Sequence, residues 1–69
     1  MGVFLKHMDK NVFLKSYNGV TGDIQFTENI NEAKGYQNDW FAKAEIDYLK
    51  FHFPEHREEY LDKMNVYFT

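Results

Sequence analysis

The tetrapeptide Val-Phe-Leu-Lys occurs twice near the start of the chain, at residues 3–6 and again at residues 12–15. Both copies are rich in residues that favour β-strands, and the turn-forming residues Asp9, Lys10 and Asn11 lie between them. This pattern predicts a β-hairpin in which the first copy pairs with the second across a short loop.

The register of this hairpin decides which side chains share a face of the sheet. A two-residue loop places Lys6 opposite Phe13 and Phe4 opposite Lys15. One face then carries Phe4, Lys6, Met8, Phe13 and Lys15. The other face carries Val3, Leu5, Val12 and Leu14. A three-residue loop with Asn11 in the left-handed conformation would mix the two sets unless a bulge corrected them. We prefer the register that separates them.

Turn and cap signals predict a third strand and a short helix after the hairpin. The dipeptide Asn-Gly at residues 18–19 favours a turn. Residues 23–27 then alternate polar and apolar side chains, which is the period of a half-buried strand. Asn29 and Glu32 have the spacing of a capping box, with Thr27 as the alternative cap, so a short helix is expected over residues 30–34.

The second half of the chain has the pattern of a long helix over residues 38–53. Pro54 interrupts it, because proline lacks the backbone donor that a continuing helix needs. A shorter helix is expected from residue 54 or 55 to about residue 63. Residues 64–68 have the composition of a strand, with a disordered terminus as the alternative.

Together these elements predict an α+β fold with an antiparallel meander of three or four strands and one main helix packed on the sheet. A chain of 69 residues is too short for a second core, so we expect a single domain over residues 1–69. It consists of a β meander over residues 1–27, a helical part over residues 28–63 that ends in a short C-terminal helix, and a possible edge strand over residues 64–69.

Composition narrows the range of functions. The chain has no cysteine, which excludes disulfides, thiolate zinc sites and cysteine nucleophiles. No apolar run reaches the roughly 18 residues of a membrane-spanning helix, and the first residues do not resemble a signal peptide. We therefore expect a cytoplasmic protein with no membrane contact. The net charge of −3 disfavours nucleic acid as a partner, because affinity for nucleic acid comes mainly from neutralised phosphates.

The predicted long helix has two apolar stripes, where a helix on a sheet needs only one. The first consists of Trp40, Phe41, Ala44, Tyr48 and Phe51, and we expect it to cover the sheet. The second consists of Ala42, Ile46, Leu49 and Phe53. Either Tyr60, Leu61 and Met64 fold back over this second stripe, or another protein covers it.

Of these two alternatives, only a surface that binds another protein implies a function. This alternative predicts that the contact residues are Phe4, Phe13, Ile46, Leu49 and Phe53, with Glu58 and Glu59 at a polar rim. A different class of function is single-strand nucleic-acid binding, in which aromatic rings stack on bases and lysines meet phosphates. Its residues would be Phe4, Lys6, Phe13 and Lys15.

Residues 52–56, His-Phe-Pro-Glu-His, match the H-x-x-E-H pattern of the inverted zincins. That site requires both imidazoles on one face of a continuous helix and the glutamate as general base. Pro54 lies between the two histidines and opposes such a helix. A zinc-dependent hydrolase that uses His52 and His56 therefore stays a remote alternative, and we expect no catalytic residues, no bound metal and no cofactor.

Residues 12–15, followed by residues 26–34 with the sequence Phe-Thr-Glu-Asn-Ile-Asn-Glu-Ala-Lys, carry a resemblance. The layout of a lysine-bearing hairpin, then Phe-Thr, then a short helix is similar to that of small accessory proteins from phages and prophages of AT-rich Gram-positive bacteria. The resemblance spans roughly residues 3 to 48. It implies life in the host cytoplasm and a non-enzymatic role, in which the protein binds a host or phage protein or associates with itself.

Overall fold

The computed structural model describes residues 2–69, and a four-stranded antiparallel sheet forms its centre. The strands are β1 (Val3–His7), β2 (Val12–Asn18), β3 (Asp23–Thr27) and β4 (Met64–Phe68), in the spatial order β3-β2-β1-β4. A single α-helix, α1 (Asp39–His52), packs on one face of the sheet. The predicted α+β class, the meander and the C-terminal edge strand are therefore confirmed.

The β1–β2 hairpin has the predicted register near its loop and departs from it farther away. Lys6 pairs with Phe13, as predicted. Residues 8–11 form the connection, in which Asn11 adopts a positive φ of 57°. The predicted pairing of Phe4 with Lys15 is wrong, because the β1–β2 pairing ends at Lys6 and Phe13. Beyond this point β2 has an irregularity in its pairing with β3, between Leu14 and Ser16.

The segment after β3 fills the position that β2 leaves free. The backbone N–H of Lys34 donates to the carbonyl oxygen of Leu14 over 2.9 Å, and the N–H of Tyr36 donates to that of Val3 over 2.8 Å. Tyr36 forms an isolated bridge with Val3. The backbone groups that a longer hairpin would have paired are thus satisfied by this crossing segment.

The ends of α1 follow the cap signals of the sequence. The Asn38 side-chain oxygen accepts a hydrogen bond from the Phe41 N–H over 3.1 Å, which satisfies one free donor of the first turn. The backbone N–H of Phe53 donates to the carbonyl oxygen of Leu49 over 2.8 Å, and Pro54 then ends the helix. The predicted bounds of this helix are confirmed to within a residue.

The two predicted short helices are present only as single 3₁₀ turns. The first spans Ile30–Glu32, where Asn29 caps as predicted. The C-terminal helix predicted over residues 54–63 is replaced by two turns, Pro54–His56 and Leu61–Lys63. Burial of Leu61 in the core outweighs the helix propensity of this segment.

The core lies between α1, the sheet and the C-terminal turns. It consists of Leu5, Leu14, Ala42, Ile46, Leu49, Phe53, Leu61 and Met64. The stripe predicted to be the second one therefore covers the sheet, and the assignment of the two stripes was wrong. The small side chain of Ala42 lets the helix lie close to the sheet. Ile46 and Leu49 have no polar side-chain atom that would need a hydrogen-bond partner in the core, whereas tyrosine and tryptophan have one.

Candidate protein-binding surface

The side of α1 that points away from the core carries large aromatic side chains. We call it the outer face of α1 and define it by Trp40, Phe41, Ala44, Tyr48 and Phe51. The exposed fractions of its four aromatic residues are 68%, 45%, 44% and 72% in chain order. Since a helix turns by about 100° per residue, these positions lie opposite the buried stripe.

The outer face of α1 is large for a protein of this size. With about 200 Å² for a whole aromatic side chain, the exposed fractions amount to about 450 Å² of aromatic surface. The largest apolar patches on soluble monomers measure about 300–600 Å² and are often functional. The outer face of α1 therefore equals in size the largest apolar patches found on soluble monomers.

Ring contacts within the outer face hold its side chains in place. The rings of Trp40 and Phe41 meet edge to face with their centroids 5.1 Å apart. His52 connects the other end of the face, because its ring centroid lies 4.2 Å from that of Tyr48 and 5.1 Å from that of Phe51. Rings that are ordered before binding lose less conformational entropy when a partner covers them.

One border of the outer face opens into a cleft beside Phe41. The cleft has a volume of about 290 Å³ and is lined by Lys34, Gly35, Tyr36, Gln37, Phe41 and Glu45. The ammonium of Lys34 lies 2.6 Å from the Glu45 carboxylate, which is largely buried, so the charge of this carboxylate is compensated within the chain.

Tyr36 lines this cleft, and Tyr17 lies close to the same Glu45 carboxylate. The Tyr36 hydroxyl is buried and has no hydrogen-bond partner within residues 2–69. Burial raises the pKa of Tyr36 well above its usual range, and the nearby Glu45 carboxylate acts in the same direction. Partial burial raises the pKa of Tyr17 to about 12, again with a contribution from Glu45. Both hydroxyls are therefore neutral at physiological pH.

Four of the residues predicted to contact a partner are buried, namely Phe13, which is 7% exposed, and three residues on or next to α1. Ile46, Leu49 and Phe53 are 8%, 1% and 1% exposed, since they form the core beneath α1. This part of the predicted site is corrected: another protein cannot reach these side chains without unfolding the domain. Of the predicted rim, Glu58 is exposed, and the Glu59 carboxylate pairs with the Lys10 ammonium over 3.0 Å.

The aromatic and basic residues of the hairpin lie on the sheet face away from α1. The rings of Phe4 and Phe13 are 6.3 Å apart, and the Lys6 ammonium lies over Phe13 and Tyr67 at 5.7 and 4.7 Å from their centroids. Phe13 is only 7% exposed, and Lys15 pairs with a glutamate, Glu32. The predicted base-stacking surface is thus largely occupied by its own side chains.

The two histidines of the H-x-x-E-H string do not share a continuous helix. α1 ends at His52, and Phe53 has φ and ψ values of −127° and 60°, which are not helical. His56 follows in the 3₁₀ turn Pro54–His56. Within residues 2–69, no group of three or more His, Asp or Glu side chains has an arrangement that could hold a metal ion.

Comparison with protein-family models, with curated proteins and with solved structures gives no match to this chain, so its function has to be argued from its own residues. Across the described part of the chain, no helix combines the length and the apolar character that crossing a membrane requires.

Proposed function

We propose that this protein is a small, non-enzymatic protein-binding domain whose contact surface is the outer face of α1. The observation that carries the proposal is the exposure of Trp40 and Phe51, at 68% and 72%, on a helix whose opposite side already forms the core. The fold gains nothing from two large aromatic rings in water, and aromatic anchors of this kind are enriched at protein interfaces.

The surroundings of this face support a protein as the partner. Nucleic acid would require a basic surface, but α1 carries Asp39, Glu45 and Asp47 against Lys43 and Lys50. An aromatic centre with charged residues of both signs at its borders has the composition of a protein–protein interface. The resemblance to phage accessory proteins favours a host protein, a phage protein or a second copy as the partner, in the cytoplasm of the host.

Site-specific photocrosslinking tests this proposal. A photoreactive benzoylphenylalanine replaces Tyr48, an aromatic residue of the outer face that is 44% exposed, and the protein is irradiated in a lysate of the cells in which the gene occurs. We expect a covalent adduct with a protein, and we expect Trp40→Ala combined with Phe51→Ala to abolish it.

The matched control places the same photoreactive residue at Val20. This residue is also apolar and is 96% exposed, but it lies in the β2–β3 connection. Equal labelling from positions 20 and 48, or no protein adduct from position 48, would contradict the proposed function.

A further inference from the structure

We propose that the outer face of α1 binds a second copy of this chain, with the two α1 helices antiparallel across a two-fold axis near Ala44. This inference rests on the proposed function, because it names the protein that the face binds. It is carried by the order of charges along the helix, by the order of its aromatic rings and by the area available.

Four charged residues lie between the outer face and the buried stripe of α1, namely Asp39, Lys43, Asp47 and Lys50. At about 100° per residue, Asp47 and Lys43 border the outer face, whereas Asp39 and Lys50 lie nearer the buried stripe, where Lys50 pairs with Asp62 over 3.8 Å. In an isolated chain these charges contribute little. The Lys43 ammonium lies 3.7 Å from the Asp39 carboxylate, and both side chains are more than half exposed. Exposed pairs of this kind stabilise a fold by less than about 1 kcal/mol.

The same border becomes complementary to itself in an antiparallel pair. A two-fold axis perpendicular to both helices brings each border against its own copy, in reverse order. Lys43 then lies opposite Asp47 of the second copy, and the two-fold axis repeats this opposite-charge contact, so that it occurs twice. A parallel pair would instead bring this border against the one that carries Glu45, and would form none of these contacts.

The aromatic rings have the same reversed symmetry. An axis near Ala44 places Trp40 opposite Phe51 of the second copy, and Phe41 opposite Tyr48 of the second copy. The small side chain of Ala44 lies at the crossing point, where it lets the two helices approach to about 8–10 Å. Tyr48 of the second copy also meets the mouth of the cleft beside Phe41.

The area sets the expected strength of this dimer. The rings supply about 450 Å² per protomer, and the charged border adds to it. Stable complexes bury about 800 Å² per partner. The contact is therefore at the small end of specific interfaces, and we expect a reversible dimer that forms in the micromolar range rather than a permanent one.

Sedimentation velocity of the purified full chain, from about 10 μM to about 1 mM, tests the inference through a charge swap. Lys43→Asp and Asp47→Lys each create two like-charge contacts across the axis, so each is expected to weaken dimerisation at least about tenfold. The double variant Lys43→Asp/Asp47→Lys restores opposite charges and is expected to associate within about threefold of the unmodified chain.

Glu28→Lys is the matched control, because it reverses an exposed charge outside α1 and should leave dimerisation unchanged. Far-ultraviolet circular dichroism checks that each variant is folded. A chain that stays monomeric at about 1 mM overturns the inference, as does a dimer that the double swap fails to restore.

The dimer and the proposed function fail in different ways. If the chain stays monomeric in sedimentation while photocrosslinking from position 48 captures a different protein, the dimer is refuted and the protein-binding function stands. If the chain stays monomeric and photocrosslinking captures no protein, both are refuted.

Discussion

His7 Nε2 lies 2.8 Å from the carbonyl oxygen of Glu59, and this contact joins the end of β1 to the C-terminal segment. The imidazole is completely buried. Its Nδ1 accepts hydrogen bonds from the backbone N–H groups of Asp9 and Lys10, over 3.2 and 3.1 Å. Nδ1 therefore carries no proton, and Nε2 donates to Glu59.

Replacing His7 with Ala removes all three hydrogen bonds and leaves a cavity. We expect the free energy of unfolding to fall by about 2–4 kcal/mol, measured by urea denaturation. The matched control is His52→Ala, which removes an exposed imidazole and should change stability by less than about 0.5 kcal/mol. Similar losses in the two variants would contradict the structural role of His7.

The two sides of α1 should respond oppositely to truncation. Leu49 is 1% exposed, so Leu49→Ala is expected to cost about 2–5 kcal/mol of unfolding free energy. Phe51 is 72% exposed, so Phe51→Ala should cost less than about 1 kcal/mol when measured at concentrations below dimerisation. A larger loss for Phe51→Ala than for Leu49→Ala would mean that the core lies on the other side of the helix.

The β2–β3 connection offers a matched pair of glycines. Gly22 has a φ of +80°, a conformation that costs an L-residue about 1–2 kcal/mol, and we expect Gly22→Ala to lose that amount of stability. Gly19 lies in the same connection without a positive φ, and no atom lies within 4 Å of an added Cβ. Gly19→Ala should therefore be neutral or slightly stabilising in thermal unfolding, and an equal loss at both positions would contradict this.

Alkaline pH should destabilise the fold through Tyr17. Its pKa is about 12 in the folded chain and 10.0 in a model peptide. Below about pH 10 both states are neutral and the stabilisation is fully present. As the pH rises from about 10 to about 12, only the unfolded state ionises, and the free energy of unfolding falls. We expect Tyr17→Phe to reduce this dependence in urea titrations, while Tyr36, whose pKa is also raised by burial, keeps its own contribution. An unchanged slope would contradict the assignment.

The strands and the main helix follow from local signals, and most of them were predictable. The Val-Phe-Leu-Lys repeat gave the β1–β2 pairing, and the Asn38 cap together with Pro54 gave both ends of α1. The contacts of His7 were not predictable, because its partner Glu59 is 52 residues away along the chain. The crossing segment at Tyr36 was missed for the same reason, since its backbone bridges to Val3, which is also distant along the chain.

The candidate surface shows where sequence reasoning stops. The pattern alone identifies two apolar stripes on α1, since each has the spacing of a helix face. Their number and membership are therefore properties of the sequence. Only tertiary packing decided that Ile46, Leu49 and Phe53 are covered while Trp40 and Phe51 stay in water. An isolated helix gives no preference for one of its two stripes. Which stripe is buried depends on how well it packs against the aliphatic surface of the sheet and of Leu61, and these residues are distant in sequence from α1.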